Sequence, residues 1–269
     1  MKAISYKRPP VVEVIFGVQF DLGGGGRLKT ADIGRYWALV KKEFPVVEEA
    51  VPIPSVREIF DSKESVAYEL MALPPLRRTW FFDESRKNLI QIQEDRFIFN
   101  WKQEKGENDY PRYEKLIQSF NRHLEHFLGF LSSELAIQNV IMLQYELTYV
   151  NHIGNQGELS LVSQSELLID HSRDKSKNRF LPEVDSFDWK SSYLLPDNSG
   201  RLHITALSAI DSSTGGRLVR LDMTARGFPN NTTYESRSAW FNQAREWIVR
   251  GFADSVADEL QLFWGRHDD

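Results

Sequence analysis

Hydrophobic and polar residues alternate along several short segments, which is the period of a β-strand with one buried face. The clearest case spans residues 12–20, where one side carries Val12, Val14, Phe16, Val18 and Phe20. The same pattern predicts further strands at 68–73, 78–82, 90–92, 97–101, 141–149, 189–195, 202–209 and 218–224. Short turns separate several of these strands, as between 92 and 97, which favours antiparallel pairing.

Three segments have instead the 3.6-residue period of an amphipathic helix. The first begins near Thr30, a suitable N-cap, and ends before Pro45. The second covers 111–134, and the third covers 238–264 with Gly265 just beyond its end. We expect the second and third to be the longest helices of the protein.

The order of these elements predicts an α+β fold. Residues 1–136 and residues 137–269 each read as a strand, a helix, several strands and a long helix, so we expect two halves of similar plan. Each half would be a mainly antiparallel sheet packed on its long helix. In element order alone this is similar to the TATA-binding-protein or helix-grip arrangement. A parallel sheet with strictly alternating strands and helices would refute this prediction.

Composition narrows the classes of function. The chain has 269 residues and no cysteine, which excludes disulfides, thiolate metal sites and cysteine nucleophiles. Its net charge of −5 argues against a protein that coats nucleic acid through bulk electrostatics. No apolar run is long enough to span a bilayer, and the first residues lack the apolar core of a signal peptide. We therefore expect a cytoplasmic protein with no membrane partner.

Five segments occur in order along essentially the whole chain: PPVVEVIFGVQF, IGRYW…FP, LIQIQEDRFIFNW, YPRYE and REWIVRGF…LFWGR. Together they resemble an uncharacterised, sporadically distributed bacterial family of about this length. The resemblance implies a bacterial protein from mobile or defence-like gene neighbourhoods and supplies no chemistry. Relatives often carry histidine at the position of Arg245, so the departure here argues against a catalytic role for that position.

A glycine run before the first helix is the strongest candidate for ligand chemistry. Strand, glycine-rich loop and helix N-terminus in this order can cradle phosphate oxygens. The candidate residues of this loop, which extends from Gly23 to Thr30, are Gly24, Gly26, Arg27, Lys29 and Thr30. A Walker-type loop needs glycine where Leu28 stands, so a flexible connector is the alternative interpretation.

Residues 77–122 mix basic and aromatic side chains, which would suit nucleic-acid binding if they were exposed. The candidates in this span are Arg96, Asn100, Trp101 and Arg112. The alternative is a sheet core with a solvated rim, and the apolar alternation around Trp101 favours a packed side chain there.

His123 and His126 lie one turn apart, but a metal needs further ligands. We expect no metal, no cofactor and no assembled catalytic set.

These observations favour a non-catalytic binding protein that acts through a protein partner, in a bacterial defence or toxin–antitoxin type operon. The partner could be a second copy of the chain, since aromatic residues dominate interfaces and Trp240 and Trp247 lie near the edge of the last helix's apolar face. The alternative hypothesis is a nucleotide- or RNA-binding enzyme or sensor that uses the glycine loop and the span 77–122.

Overall fold

The protein folds around one large antiparallel sheet. The computed structural model describes residues 4–24, 26–54, 56–58, 76–104, 110–154, 157–158, 162, 166–171, 180–182, 184–228, 231 and 233–268. Nine strands form the main sheet in the order β3-β4-β5-β6-β2-β7-β10-β9-β8, and β1 pairs with β11 in a separate ribbon. The strands are β1 Ile4–Tyr6, β2 Val11–Asp21, β3 Val46–Ala50, β4 Arg78–Phe82, β5 Asn88–Gln93, β6 Arg96–Lys102, β7 Ile141–Ile153, β8 Asp188–Leu194, β9 Arg201–Ile210, β10 Arg217–Gly227 and β11 Arg266–Asp268.

The helices are α1 Thr30–Val40, α2 Tyr113–Leu135, α3 Tyr234–Ser255 and α4 Asp258–Phe263. Of these, α2 and α3 are the longest, with 23 and 22 residues, which confirms the prediction. Both pack on the same sheet, and α1 packs beside α2. The α+β class with an antiparallel sheet is therefore confirmed.

The core lies between this sheet and the two long helices. Phe16 at its centre is fully buried, with its ring 5.2 Å from that of Phe120 on α2 and 5.7 Å from that of Phe241 on α3. The period-two pattern of β2 places Val14, Phe16 and Val18 on the same side, where they meet the helices. Burial of such aromatic side chains stabilises the fold through the large apolar area each removes from water.

The prediction of one continuous helix over 238–264 was wrong. Helix α3 ends at Ser255 because Val256 adopts an extended conformation and forms a β-bridge with Leu168. The next amide, that of Ala257, donates to the carbonyl of Leu167. The side-chain amide of Gln261 then donates to the carbonyl of Val256, so the groups freed by the break are satisfied.

The N-cap of α1 is Lys29 rather than Thr30, and the carboxylate of Asp32 accepts from the Lys29 amide. The strand predicted at 68–73 lies outside the described residues. Within the described part of the chain, no helix combines the length and apolar character needed to cross a membrane.

Candidate functional site

The sheet face turned away from the long helices is polar, and on strands β2, β5, β6 and β7 much of it is buried. Its side chains alternate with those of the core, and seven buried polar residues belong to it: Gln19, Gln91, Gln93, Arg96, Asn100, Gln144 and Thr148. Gln19 lies between Arg96 and Gln144 as a direct cross-strand neighbour of both. Burial of polar groups is costly unless they are hydrogen-bonded, so a buried polar face indicates a specific contact.

That contact is made by the chain itself. Residues 51–54 and 56–58, which we call the strap, follow β3 and cross the polar face. The side-chain amide of Gln93 accepts from the amide of Ile53 at 2.7 Å and donates to the carbonyl of the same residue at 2.9 Å. The guanidinium of Arg96 donates to the carbonyl of Pro54 at 2.8 Å.

Gln144 on β7 repeats this mode of binding farther along the strap. Its Oε1 accepts from the amide of Glu58 at 2.9 Å, and its Nε2 donates to the carbonyl of Val56 at 2.8 Å. Two glutamine side chains on separate strands thus each bind a donor and an acceptor of the strap backbone. A side-chain amide offers the same pair of groups as a peptide bond, so it can replace a neighbouring strand in a ladder.

The acidic end of the strap is anchored by charge. The carboxylate of Glu58 accepts from Arg201 Nη1 at 2.7 Å and contacts His203 Nε2 at 2.6 Å, both residues being on β9. Burial by itself would raise the pKa of Glu58, but the hydrogen bonds from His203 and Arg201 outweigh it and hold that pKa below its usual value.

Ser192, His203 and Glu58 follow one another in hydrogen-bond order, since Ser192 Oγ lies 2.8 Å from His203 Nδ1. This order is that of a nucleophile, base and acid. However, Ser192 is an exposed residue of the edge strand β8, and Glu58 uses its second oxygen on Arg201. We therefore interpret the group as the anchor of the strap.

The polar face continues beyond the strap. Gln91 donates to Asn100 at 2.7 Å, and Asn100 donates in turn to Glu13 at 2.7 Å. Burial raises the pKa of Glu13, against the opposing effect of the Asn100 hydrogen bond. Among the described residues, Oε1 of Gln91 and Nε1 of its cross-strand neighbour Trp80 have no hydrogen-bond partner. These groups leave hydrogen-bonding capacity on the face that the strap does not use.

The sequence candidates of the span 77–122 fall on different sides of the sheet. Arg96 and Asn100 belong to the polar face, whereas Trp101 points into the core, 4% exposed, with its ring 5.5 Å from that of Tyr110. This burial agrees with the packed side chain that the sequence pattern favours for Trp101, so its indole is not exposed for contact with a nucleic acid or a partner. Phe97 and Phe99 are also buried, which removes them as a stacking platform for bases.

Several basic residues of the same span are paired with acids. Arg77 pairs with Glu49 at 2.9 Å, and Arg122 pairs with Glu43 at 2.7 Å.

His123 is buried beside Arg122, and the Nη2 of Arg122 lies 3.0 Å from the Nε2 of His123. A cation at that distance opposes metal binding by the ring.

The glycine loop is held by its own hydrogen bonds. Gly23 and Gly24 have positive φ, and the amide of Gly26 donates to the carbonyl of Gly23 at 2.9 Å. Arg27 forms a two-pronged ion pair with Glu94. The side chain of Leu28 is buried in the core, while Lys29 and Thr30 are exposed. This arrangement favours a turn, and phosphate binding there stays a prediction.

The two tryptophans proposed for a partner surface do not form one together. Trp240 is 6% exposed, donates from Nε1 to the carbonyl of Ser199 at 3.0 Å and packs on Tyr145. Trp247 is partly buried against the core. Trp240 is therefore part of the contact between helix and sheet, because its hydrogen bond and its ring contacts are satisfied inside the protein.

Sequence reasoning missed the residues that hold the strap, namely Gln93, Gln144, Glu58 and His203. A signal existed in the segments GVQF, LIQIQ, IFNW and MLQYE. Their polar positions carry uncharged amides where a solvated strand face more often carries lysine or glutamate. Amides at consecutive polar positions indicate a face that is covered.

The chain matches no protein-family model and no curated protein sequence. The resemblance to an uncharacterised bacterial family thus stays a prediction that rests on the five segments named above.

Proposed function

We propose that the protein is a non-catalytic binding protein whose polar sheet face binds an extended segment of a protein partner. The observation that carries this proposal is the paired use of Gln93 and Gln144 on the backbone of the strap. The strap occupies the place that the partner segment would take.

The contacts define what such a segment must offer. Gln93, Gln144 and Arg96 bind backbone groups of the strap, which requires an extended conformation and places little demand on side chains. The exception is the carboxylate of Glu58, bound by Arg201 and His203. A partner segment that replaces the strap would therefore be extended over about six residues and end in an acidic side chain.

The resemblance noted in the sequence suggests where the partner comes from. It would place the partner among the products of a bacterial defence or toxin–antitoxin type operon. A gene transcribed together with this one is the first source of candidate segments, and a second copy of the chain is the next.

We also infer that the two halves share one plan. In residues 1–136, the first sheet strand, β2, pairs with the last strand, β6, and α2 follows. In residues 137–269, β7 pairs with β10 and α3 follows. The support is this repeated order around the central β2–β7 pair. Coexpression of the two halves as separate chains should give a stable complex, and two insoluble fragments would argue against the inference.

The experiment for the partner site compares two kinds of variant. Glu58→Gln weakens the anchor of the strap and leaves Gln93 and Gln144 in place, so it should tighten binding of a labelled peptide with the sequence of residues 50–58. The peptide gains because a larger fraction of the protein has a free face. In the Glu58→Gln background, where the strap is already weakened, an added Gln144→Leu should weaken the same binding, measured by fluorescence polarisation.

The matched control is Gln118→Leu on the exposed side of α2, which should leave peptide binding unchanged. If Glu58→Gln and the added Gln144→Leu change the affinity in the same direction, the strap is a fixed part of the fold and the proposal is wrong. The same holds if neither variant changes it.

A further inference from the structure

A cavity of about 480 Å³ lies on the helix side of the sheet, away from the strap. The ribbon strand β1, the first turn of α2 and the middle of α3 enclose it. Its walls include Tyr110, Arg112, Tyr113, Tyr149, Arg245 and Ile248. The volume falls in the range of small-molecule sites, which are mostly apolar with a few convergent polar groups.

Positive charge dominates the cavity. Its described lining contains Lys7, Arg112 and Arg245 but a single acid, Glu114. Arg245 stacks over the ring of Tyr113 at 5.1 Å, and its ion pair with Glu114 is long, at 3.7 Å. A guanidinium placed over an aromatic ring keeps N–H groups free in its plane, where a carboxylate can bind.

Arg112 is a second basic residue that lines the cavity. It donates from Nη1 to the carbonyl of Tyr6 at 2.9 Å, so a neutral group rather than an acid binds it and its charge is not compensated there. Its φ of 72° is unusual for a residue other than glycine. Such backbone strain persists only where the surrounding structure enforces it, and it clusters at ligand sites.

The tyrosines supply neutral donors. The hydroxyls of Tyr110 and Tyr149 lie 3.1 Å apart, so one of the two donates to the other, and the remaining O–H has no acceptor among the described residues. Burial raises the pKa of Tyr149 well above its ordinary value and also raises that of Tyr110. Both hydroxyls stay protonated at neutral pH and act as donors, not as bases.

We propose that this cavity is a binding site for a small aromatic carboxylate. The carboxylate would bind the guanidinium of Arg245, and the ring would lie against Ile248, Phe252 and the tyrosines. The Tyr110–Tyr149 pair provides a further hydrogen bond. This site is separate from the partner site proposed above, and either can exist without the other.

The experiment uses 2-naphthoate as the probe and 2-naphthamide as its neutral counterpart, with binding measured by isothermal titration calorimetry on the full chain. The wild type should bind 2-naphthoate at least tenfold more tightly than 2-naphthamide, because only the former forms a charge-assisted pair. Arg245→Gln should weaken binding of 2-naphthoate about tenfold and leave that of 2-naphthamide unchanged.

Two further variants keep the test decisive. Arg250→Gln is the matched control, since Arg250 lies on the same helix, pairs with Glu246 and does not line the cavity. It should not change the affinity. Val249→Phe fills the cavity and should abolish binding of both probes while the melting temperature shows a folded protein. Equal affinity for the two probes, binding retained in Val249→Phe, or no heat with wild type at millimolar probe would each overturn the proposal.

Discussion

Replacement of Gln144 by leucine should free the acidic end of the strap and leave the rest of the protein folded. Leucine keeps much of the side-chain volume but removes both hydrogen bonds to the strap, of 2.9 Å to the Glu58 amide and 2.8 Å to the Val56 carbonyl. Each bond contributes about 1 kcal/mol net, so local opening should become easier by about 2 kcal/mol. That difference corresponds to a roughly 30-fold larger equilibrium constant for opening of the strap.

Hydrogen–deuterium exchange at single-residue resolution measures this directly. The Glu58 amide should exchange roughly 30-fold faster in the variant, because its acceptor is lost. Gln93→Leu is the reciprocal control, since it removes the acceptor of the Ile53 amide and should accelerate exchange there instead. Unchanged exchange at Glu58 in Gln144→Leu would refute the reasoning. So would equal acceleration at both amides in both variants, which would mean that the strap opens as one unit.

Three further predictions concern stability. Burial lowers the pKa of His123 to about 4, and neighbouring Arg122 lowers it too, against an ordinary value of 6.5. Because the unfolded chain takes up the proton first, this group should reduce stability as the pH falls from about 6.5 to about 4, by up to ~3 kcal/mol. His123→Phe should flatten the dependence of the unfolding free energy on pH, measured by urea unfolding at several pH values. An unchanged dependence would contradict this prediction. Gly227→Ala should destabilise by at least about 2 kcal/mol, because the new Cβ would lie 2.0 Å from the Ser199 carbonyl oxygen. Gly34→Ala in α1 meets no atom within 4 Å and should stabilise by about 0.5–1 kcal/mol; thermal unfolding that ranks the two the other way would refute this.

The hydrophobic patterns of the sequence predicted those elements whose form depends mainly on neighbouring residues. The alternation in β2 and in the β5–β6 hairpin, and the long apolar stripe of α2, gave elements close to the observed ones, because side-chain burial follows strand and helix period directly. The end of α3 escaped this reasoning. Val256 fits a helical apolar stripe, and only its bridge to the distant Leu168 removes it from the helix.

The sites were harder to predict for the same reason. Gln93 and Gln144 occupy polar positions of strands, and a pattern treats such positions as solvated. Their partners in the strap are 40 and 86 to 88 positions away, a relation that no local period contains. The cavity depends on the convergence of β1, α2 and α3, which the order of elements alone does not determine.

The ribbon of β1 and β11 has a consequence for how the protein is made. The wall of the cavity formed by β1 is held by residues near the other end of the chain: Tyr6 donates to Gln261, 255 positions later. A contact between residues so far apart in sequence carries a large entropic cost of loop closure, and we expect it to form late in folding. On the ribosome, β1 must therefore wait for nearly all of the described chain to be synthesised. Capacity to bind a small molecule in this cavity would then report a late step of folding.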